Sequence, residues 1–109
     1  MVDDGTVTIQ NNTFTNNSVG LKLSSAGGTP AFTATGNTFS QNTFEAVQAL
    51  SSTFPEFSNN TANNNGTNGV LIQGVVSTDK TLGGNIPFVI SSEISVLANK
   101  ILTILQGTI

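Results

Sequence analysis

Apolar and polar residues alternate in short segments along the chain, and these segments return at a regular interval. The segment Asn12-Thr13-Phe14 returns as Asn37-Thr38-Phe39 and then, with alanine in the aromatic position, as Asn60-Thr61-Ala62. The aromatic position recurs 25 and then 23 residues later. Self-similarity at a spacing of about 20–50 residues is typical of a stacked repeat architecture.

Each repeat contains three segments in which every second residue is apolar, as in Val7-Thr8-Ile9 and Leu21-Lys22-Leu23. This period of two predicts short strands that are buried on one face. Three such strands fit one coil of a parallel β-helix, in which each coil lies about 4.8 Å above the last. We therefore predict an all-β fold, a right-handed parallel β-helix (solenoid) of about four coils.

Equivalent residues of successive coils are expected to stack. Phe14 is predicted to lie on Phe39 inside the coils, and Asn12, Asn37 and Asn60 are predicted to form a ladder at a corner. Asparagine suits a corner because it tolerates the left-handed conformation. Its side-chain amide can also bond to the amide of the next coil.

We interpret residues 1–109 as a single β-helix domain. Residues 1–73 contain the Asn-Thr-Phe coils, residues 74–85 are predicted to be a linker, and residues 86–109 are predicted to be terminal coil strands. Loops at 24–30 and 50–55 both end in proline, which marks the edge or start of a strand, and they are expected at the same corner. The β-branched residues of the last segment favour strands over a helix.

Composition excludes several classes of protein. Charged residues make up 8% of the chain and the net charge is -3, so there is no basic surface for nucleic acid. The chain has no cysteine, and hence no disulfide or thiolate metal site. It shows no signal-peptide pattern and no apolar run long enough to predict a membrane span.

The coils resemble the parallel β-helix repeats of pectate-lyase-like and related surface proteins. Residues 88–96, followed by 102–104 and 107–109, resemble a segment that often opens such β-helices, with Ser92-Glu93 standing for its Gly-Asp. The resemblance covers nearly all of residues 7–109 and implies the fold and an extracellular or cell-surface location. Here the opening segment comes last, so the tail of one copy joined to the head of the next would give a continuous stack.

Enzymes of this family cluster acidic residues, and the lyases add a basic residue. The acids of this chain are dispersed, and it has no histidine and no arginine; they are Asp3, Asp4, Glu45, Glu56, Asp79 and Glu93. No stretch matches a calcium-binding loop. We therefore predict a protein that is not an enzyme, with no catalytic residues, no cofactor and no metal site. Glycosylation sequons occur at Asn11, Asn16, Asn59 and Asn65, and asparagine is frequent enough here for them to arise by chance.

Neither end of the chain shows the polar cap that a solitary solenoid needs. The leading hypothesis is a structural subunit of an extracellular filament, sheath or surface layer, which assembles head-to-tail with copies of itself. The predicted self-assembly edges are Val7, Ile9, Phe14, Ile101, Leu102, Ile104 and Ile109. The alternative is an excised segment of a cell-surface adhesin or of a β-helix protein that binds polysaccharide. A fragment of a polysaccharide-degrading enzyme is disfavoured by the missing arginine and histidine.

Overall fold

The computed structural model describes residues 6–24, 31–50, 56–76, 79–82 and 86–104. The regular structure in these ranges consists of twelve short β-strands. They are β1 (Thr6–Gln10), β2 (Thr13–Thr15), β3 (Leu21–Leu23), β4 (Ala31–Thr35), β5 (Thr38–Ser40), β6 (Glu45–Leu50), β7 (Glu56–Ser58), β8 (Thr61–Asn63), β9 (Thr67–Val76), β10 (Lys80–Leu82), β11 (Phe88–Val96) and β12 (Leu102–Ile104).

The strands stack coil upon coil in parallel sheets. In the described ranges, sheet A has the order β1-β4-β7, sheet B the order β2-β5-β8, sheet C the order β3-β6-β9-β11 and sheet D the order β10-β12. The chain passes through one strand of each of sheets A, B and C and then returns above its starting point. All pairings between these strands are parallel. The predicted all-β parallel β-helix is therefore confirmed.

The register of the sheets reproduces the sequence period. Thr13 pairs with Thr38, 25 residues later, and Thr38 pairs with Thr61, 23 residues later. The rings of Phe14 and Phe39 stack with centroids 5.2 Å apart and an interplanar angle of 9°. The predicted stacking of these two phenylalanines is confirmed, and it keeps the coils in register from the inside.

The inward-facing residues of the strands form one continuous core. Alternation along the strands directs every second side chain inward, so that Leu23 is buried and its neighbour Lys22 is exposed. The buried hydrophobic residues are Leu23, Phe32, Ala34, Phe39, Ala46, Val47, Ala49, Val70, Ile72, Val76, Leu82 and Ile86. This core fills the coils, as the alternation in the sequence predicts.

The regular stack is shorter than predicted, with about three coils instead of about four. Sheets A and B each have three strands in the described part of the chain, and β10 pairs with β12. After the third Asn-Thr corner, β9 runs for ten residues to Val76 without another corner. Its end and β10 lie inside the range 74–85 that was predicted as a linker.

Both predicted loops connect the same two sheets. The first follows β3 and the second follows β6, which are neighbours in sheet C, and they lead to β4 and β7, which are neighbours in sheet A. Residues 25–30 and 51–55 themselves lie outside the described residues. The strands that flank the two connections thus belong to the same two sheets.

Replacing Phe39 with alanine is expected to lower the free energy of unfolding by about 3–5 kcal/mol, because the ring is fully buried and its removal leaves a cavity. Phe44, which is 57% exposed, provides the matched control, since Phe44→Ala should change stability by only about 0.5 kcal/mol. Urea unfolding followed by circular dichroism measures both variants. Equal losses for the two would contradict the proposed core position of Phe39.

Candidate functional site

Three asparagines form a hydrogen-bonded ladder along one corner of the stack. The backbone N–H of Asn12 donates to Oδ1 of Asn37 over 2.9 Å, and the backbone N–H of Asn37 donates to Oδ1 of Asn60 over 2.9 Å. The side-chain amides follow the same path, with Nδ2–Oδ1 distances of 3.3 and 3.1 Å. Oδ1 of Asn37 and Oδ1 of Asn60 thus each receive two hydrogen bonds from the preceding coil.

The same amides also bond backward to the backbone. Nδ2 of Asn37 donates to the carbonyl of Ile9 over 2.9 Å, and Nδ2 of Asn60 donates to the carbonyl of Ala34 over 2.9 Å. Both asparagines are buried. Burial of a polar group without a partner costs free energy, so these bonds make a buried amide possible. No buried side-chain nitrogen or oxygen in the described part of the chain lacks a partner.

The left-handed residue at this corner is the one before the ladder asparagine. Asn11, Gly36 and Asn59 have φ angles of 57°, 67° and 54°. A β-carbon at Gly36 would collide with Oδ1 of Asn11, so glycine leaves room for that side chain. The sequence pattern predicts the turn and the ladder at the same asparagine, whereas in the structure one residue makes the turn and the next residue joins the ladder.

A second ladder, which the sequence analysis missed, lies at the other end of sheet B. The backbone N–H of Asn17 donates to Oδ1 of Asn42 over 3.0 Å, and that of Asn42 donates to Oδ1 of Asn65 over 3.0 Å. The signal was present in the sequence, because these three asparagines also recur 25 and 23 residues apart. Both ends of sheet B are therefore held by asparagine ladders.

The second ladder ends inside the chain. Asn68 supplies an Oδ1 that accepts from both the backbone N–H and Nδ2 of Asn65, each over 2.9 Å. This oxygen takes the place that an asparagine of a further coil would occupy. At the opposite end, no donor within the described ranges bonds to Oδ1 of Asn12 or Asn17.

Among the described residues, no strand covers the outer edge of the first coil. β1, β2 and β3 are each the outermost strand of their sheet in the described part of the chain. Val7, Ile9 and Phe14 face inward but are only partly buried, whereas their partners Phe32, Ala34 and Phe39 in the next coil are buried. These three predicted edge residues thus lie together at one end of the stack.

At the other end, no described strand covers the last strands of the stack. Ile72, Val76 and Leu82 are buried. Their in-register partners on the outer strands are, in the same order, Ile90, Val96 and Ile104. Those partners are 54%, 44% and 60% exposed. Parallel partners in register point to the same side, so these three residues continue the core beyond its last covered layer.

The other predicted C-terminal edge residues are placed as follows. Ile101 is exposed just before β12, and Leu102 packs partly buried against the core. Ile109 lies outside the described residues. Sequence reasoning missed Ile90 and Val96 as edge residues, because alternation indicates which residues share a face but not whether a further strand covers that face.

The described acidic side chains are dispersed and make local hydrogen bonds. Oδ1 of Asp79 accepts from the backbone N–H of Ile101 over 2.9 Å, and a carboxylate oxygen of Glu45 accepts from Nε2 of Gln48 over 2.9 Å. Oε1 of Glu93 accepts from the hydroxyl of Ser95 over 3.2 Å. The described residues contain no group of three potential metal ligands, while Asp3 and Asp4 lie outside them.

The sequence matches one family model, whose description is a right-handed β-helix region, over residues 1–102. No curated protein and no solved structure gives a significant match. In the described ranges, no helix has the length and hydropathy that a membrane crossing requires.

Replacing Asn37 with alanine is expected to destabilise the fold strongly. The change leaves the partly buried carbonyl of Ile9 and the backbone N–H of Asn12 without their partner, and a group left unpaired away from water costs up to about 1–3 kcal/mol. Asn63→Ala is the matched control, because Asn63 is exposed on the adjacent strand β8 and should change stability by about 0.5 kcal/mol. Chemical unfolding of both variants measures the difference, and similar midpoints would contradict the ladder's role.

Proposed function

Because the chain belongs to the right-handed β-helix family, we propose that it is a non-enzymatic structural subunit of an extracellular filament, sheath or surface layer. Copies would assemble head-to-tail, with the last strands of one copy stacked on the first coil of the next. The observation that carries the proposal is that no described strand covers either end of the core, at β1 to β3 or at β11 and β12.

The chemistry of the two ends supports this contact. Ile90, Val96 and Ile104 present apolar side chains beyond the last covered layer, and Val7, Ile9 and Phe14 present partly buried ones at the first coil. Joining the two ends would remove both apolar surfaces from water, which is favourable at roughly 25 cal/mol per Å². It would also pair the backbone groups of two strand edges, which otherwise are templates for further pairing.

Such a contact joins two different surfaces of the same chain. A heterologous contact whose rotation does not close generates an open filament. The ladders also favour one orientation of the two copies. The Oδ1 atoms of Asn12 and Asn17 are hydrogen-bond acceptors at the first-coil end, so contact between two first-coil ends would place acceptors against acceptors. Head-to-tail stacking avoids this clash of like groups.

The proposal of a non-enzymatic role rests on the side chains available for chemistry. The sequence has no histidine, no arginine and no cysteine, so it lacks the side chain that most often serves as a general acid or base. The carboxylates of Glu45, Asp79 and Glu93 belong to separate local hydrogen bonds. Hydrolysis of a glycosidic bond needs two carboxylates on either side of one bond.

Replacing Ile104 with lysine is expected to prevent filament growth. Burial of an isoleucine side chain contributes about 1.5–3 kcal/mol, so its loss should raise the critical concentration for assembly about tenfold or more. Thr103→Lys is the matched control, because Thr103 is the exposed neighbour on β12 and points to the opposite face. Sedimentation measures the critical concentration, and electron microscopy shows whether fibres form.

The assembly state of the parent protein in the same experiments distinguishes the structural subunit from the alternative function. Fibres that Thr103→Lys retains and Ile104→Lys loses would support the structural subunit. Monomers alone at high concentration would contradict it and would favour the alternative, a segment of a cell-surface adhesin or of a β-helix protein that binds polysaccharide. That alternative predicts that added flanking coils cover both ends and stabilise the fold.

A further inference from the structure

The outer face of sheet B carries a two-dimensional array of small polar side chains. Its strands β2, β5 and β8 lie in register, so that outward-facing residues form two columns that run along the stack. The first column contains Thr13, Thr38 and Thr61, and the second contains Thr15, Ser40 and Asn63. Five of the six positions therefore carry a hydroxyl group.

The fold sets the two repeat distances of this array. Neighbouring strands lie about 4.8 Å apart, which is the spacing of equivalent Cα atoms along each column. Residues i and i+2 of a strand lie about 6.6 Å apart, which is the spacing between the columns. Both distances come from the backbone, so every coil repeats them. Each flat face of ice is also a regular two-dimensional array of hydrogen-bonding groups, so a regular array of hydroxyl groups is a surface of the kind that can contact it.

Three kinds of contact hold the array in place: hydrogen bonds between its hydroxyl groups, the asparagine ladders at the strand ends, and the packing beneath the sheet. The hydroxyl of Ser40 donates to that of Thr15, and the hydroxyl of Thr61 donates to that of Thr38, each over 3.3 Å. The asparagine ladders fix both ends of the three strands. Beneath the face, the rings of Phe14 and Phe39 stack almost parallel, at 9°, so these two coils have little relative twist at this point.

The face is also free of charge. No aspartate, glutamate, lysine or arginine occurs in residues 11–17, 36–42 or 59–65. A charged group would hold its own hydration shell and disturb an ordered water layer. Threonine instead offers a methyl group beside a hydroxyl that both donates and accepts, so water can be ordered with few lost hydrogen bonds.

From these observations we infer that the outer face of sheet B binds ice, with the two columns in contact with rows of lattice water. The ligand is ordered water itself, which suits a flat, rigid, uncharged array of hydroxyl groups. The inference does not rest on the proposed function. A single copy already presents all six positions.

The test measures inhibition of ice recrystallisation by the purified full chain. The parent protein should slow crystal growth, and Thr38→Lys at the centre of the face should raise the concentration needed about tenfold or more, because the bulky charge prevents contact between the rows and the lattice. Thr33→Lys is the matched control, since Thr33 faces outward in the same coil on neighbouring sheet A and should keep the parent's activity.

A second variant keeps the test decisive if Thr38→Lys does not fold. Thr38→Val retains the shape and removes one hydroxyl, and circular dichroism checks the fold of each variant. A parent without effect on ice growth would overturn the inference, as would equal losses for Thr33→Lys and Thr38→Lys. Binding of the parent to cellulose or chitin, lost in Thr38→Lys and without any effect on ice, would also overturn it in favour of a neutral polysaccharide.

The outcome is independent of filament formation. Monomeric and assembled fractions are separated by sedimentation and assayed on ice individually. Activity of the monomer fraction without any fibres would support the ice-binding face while contradicting the proposed structural subunit. Fibres without activity in either fraction would overturn the ice-binding face and leave the subunit role intact.

Discussion

The fold depends on the way asparagine amides satisfy the backbone at the coil corners. Where a coil turns between two strands, its N–H and C=O groups lose the regular partners of a sheet, and each still needs a hydrogen bond. The side chain of Asn37 satisfies two of them, because its Nδ2 donates to the carbonyl of Ile9 and its Oδ1 accepts from the backbone N–H of Asn12. Because these bonds join neighbouring coils, they fix the register of the coils. The stacked phenylalanines and the parallel sheets follow from that register.

Much of this architecture could be predicted from the sequence, because the same spacing governs both ladders and the aromatic stack. Alternation around Lys22 identified an exposed residue between two inward ones, and the structure agrees. The sequence could not predict that Asn11 makes the left-handed turn while Asn12 joins the ladder, since both are asparagines and either suits such a turn. The coil number was overestimated because strong alternation near Ile94 indicates a strand but not which neighbour it pairs with.

The surfaces used in the two proposals are chemically separate. The ends of the stack expose apolar side chains such as Ile90 and Ile104, which belong to the interrupted core. The outer face of sheet B exposes the hydroxyl groups of residues such as Thr13 and Thr61. A β-helix separates such surfaces by construction, since inward and outward residues alternate along every strand. One can therefore be altered while the other keeps its chemistry.

Asn68 also has a consequence for how such a chain can vary in length. Asn68 closes the second ladder within its own coil. The sequence after it therefore does not need another asparagine at that corner. A duplicated repeat inserted before it would extend both ladders and still meet the same terminator. Coil number can then change by gene duplication without a new C-terminal end having to evolve each time.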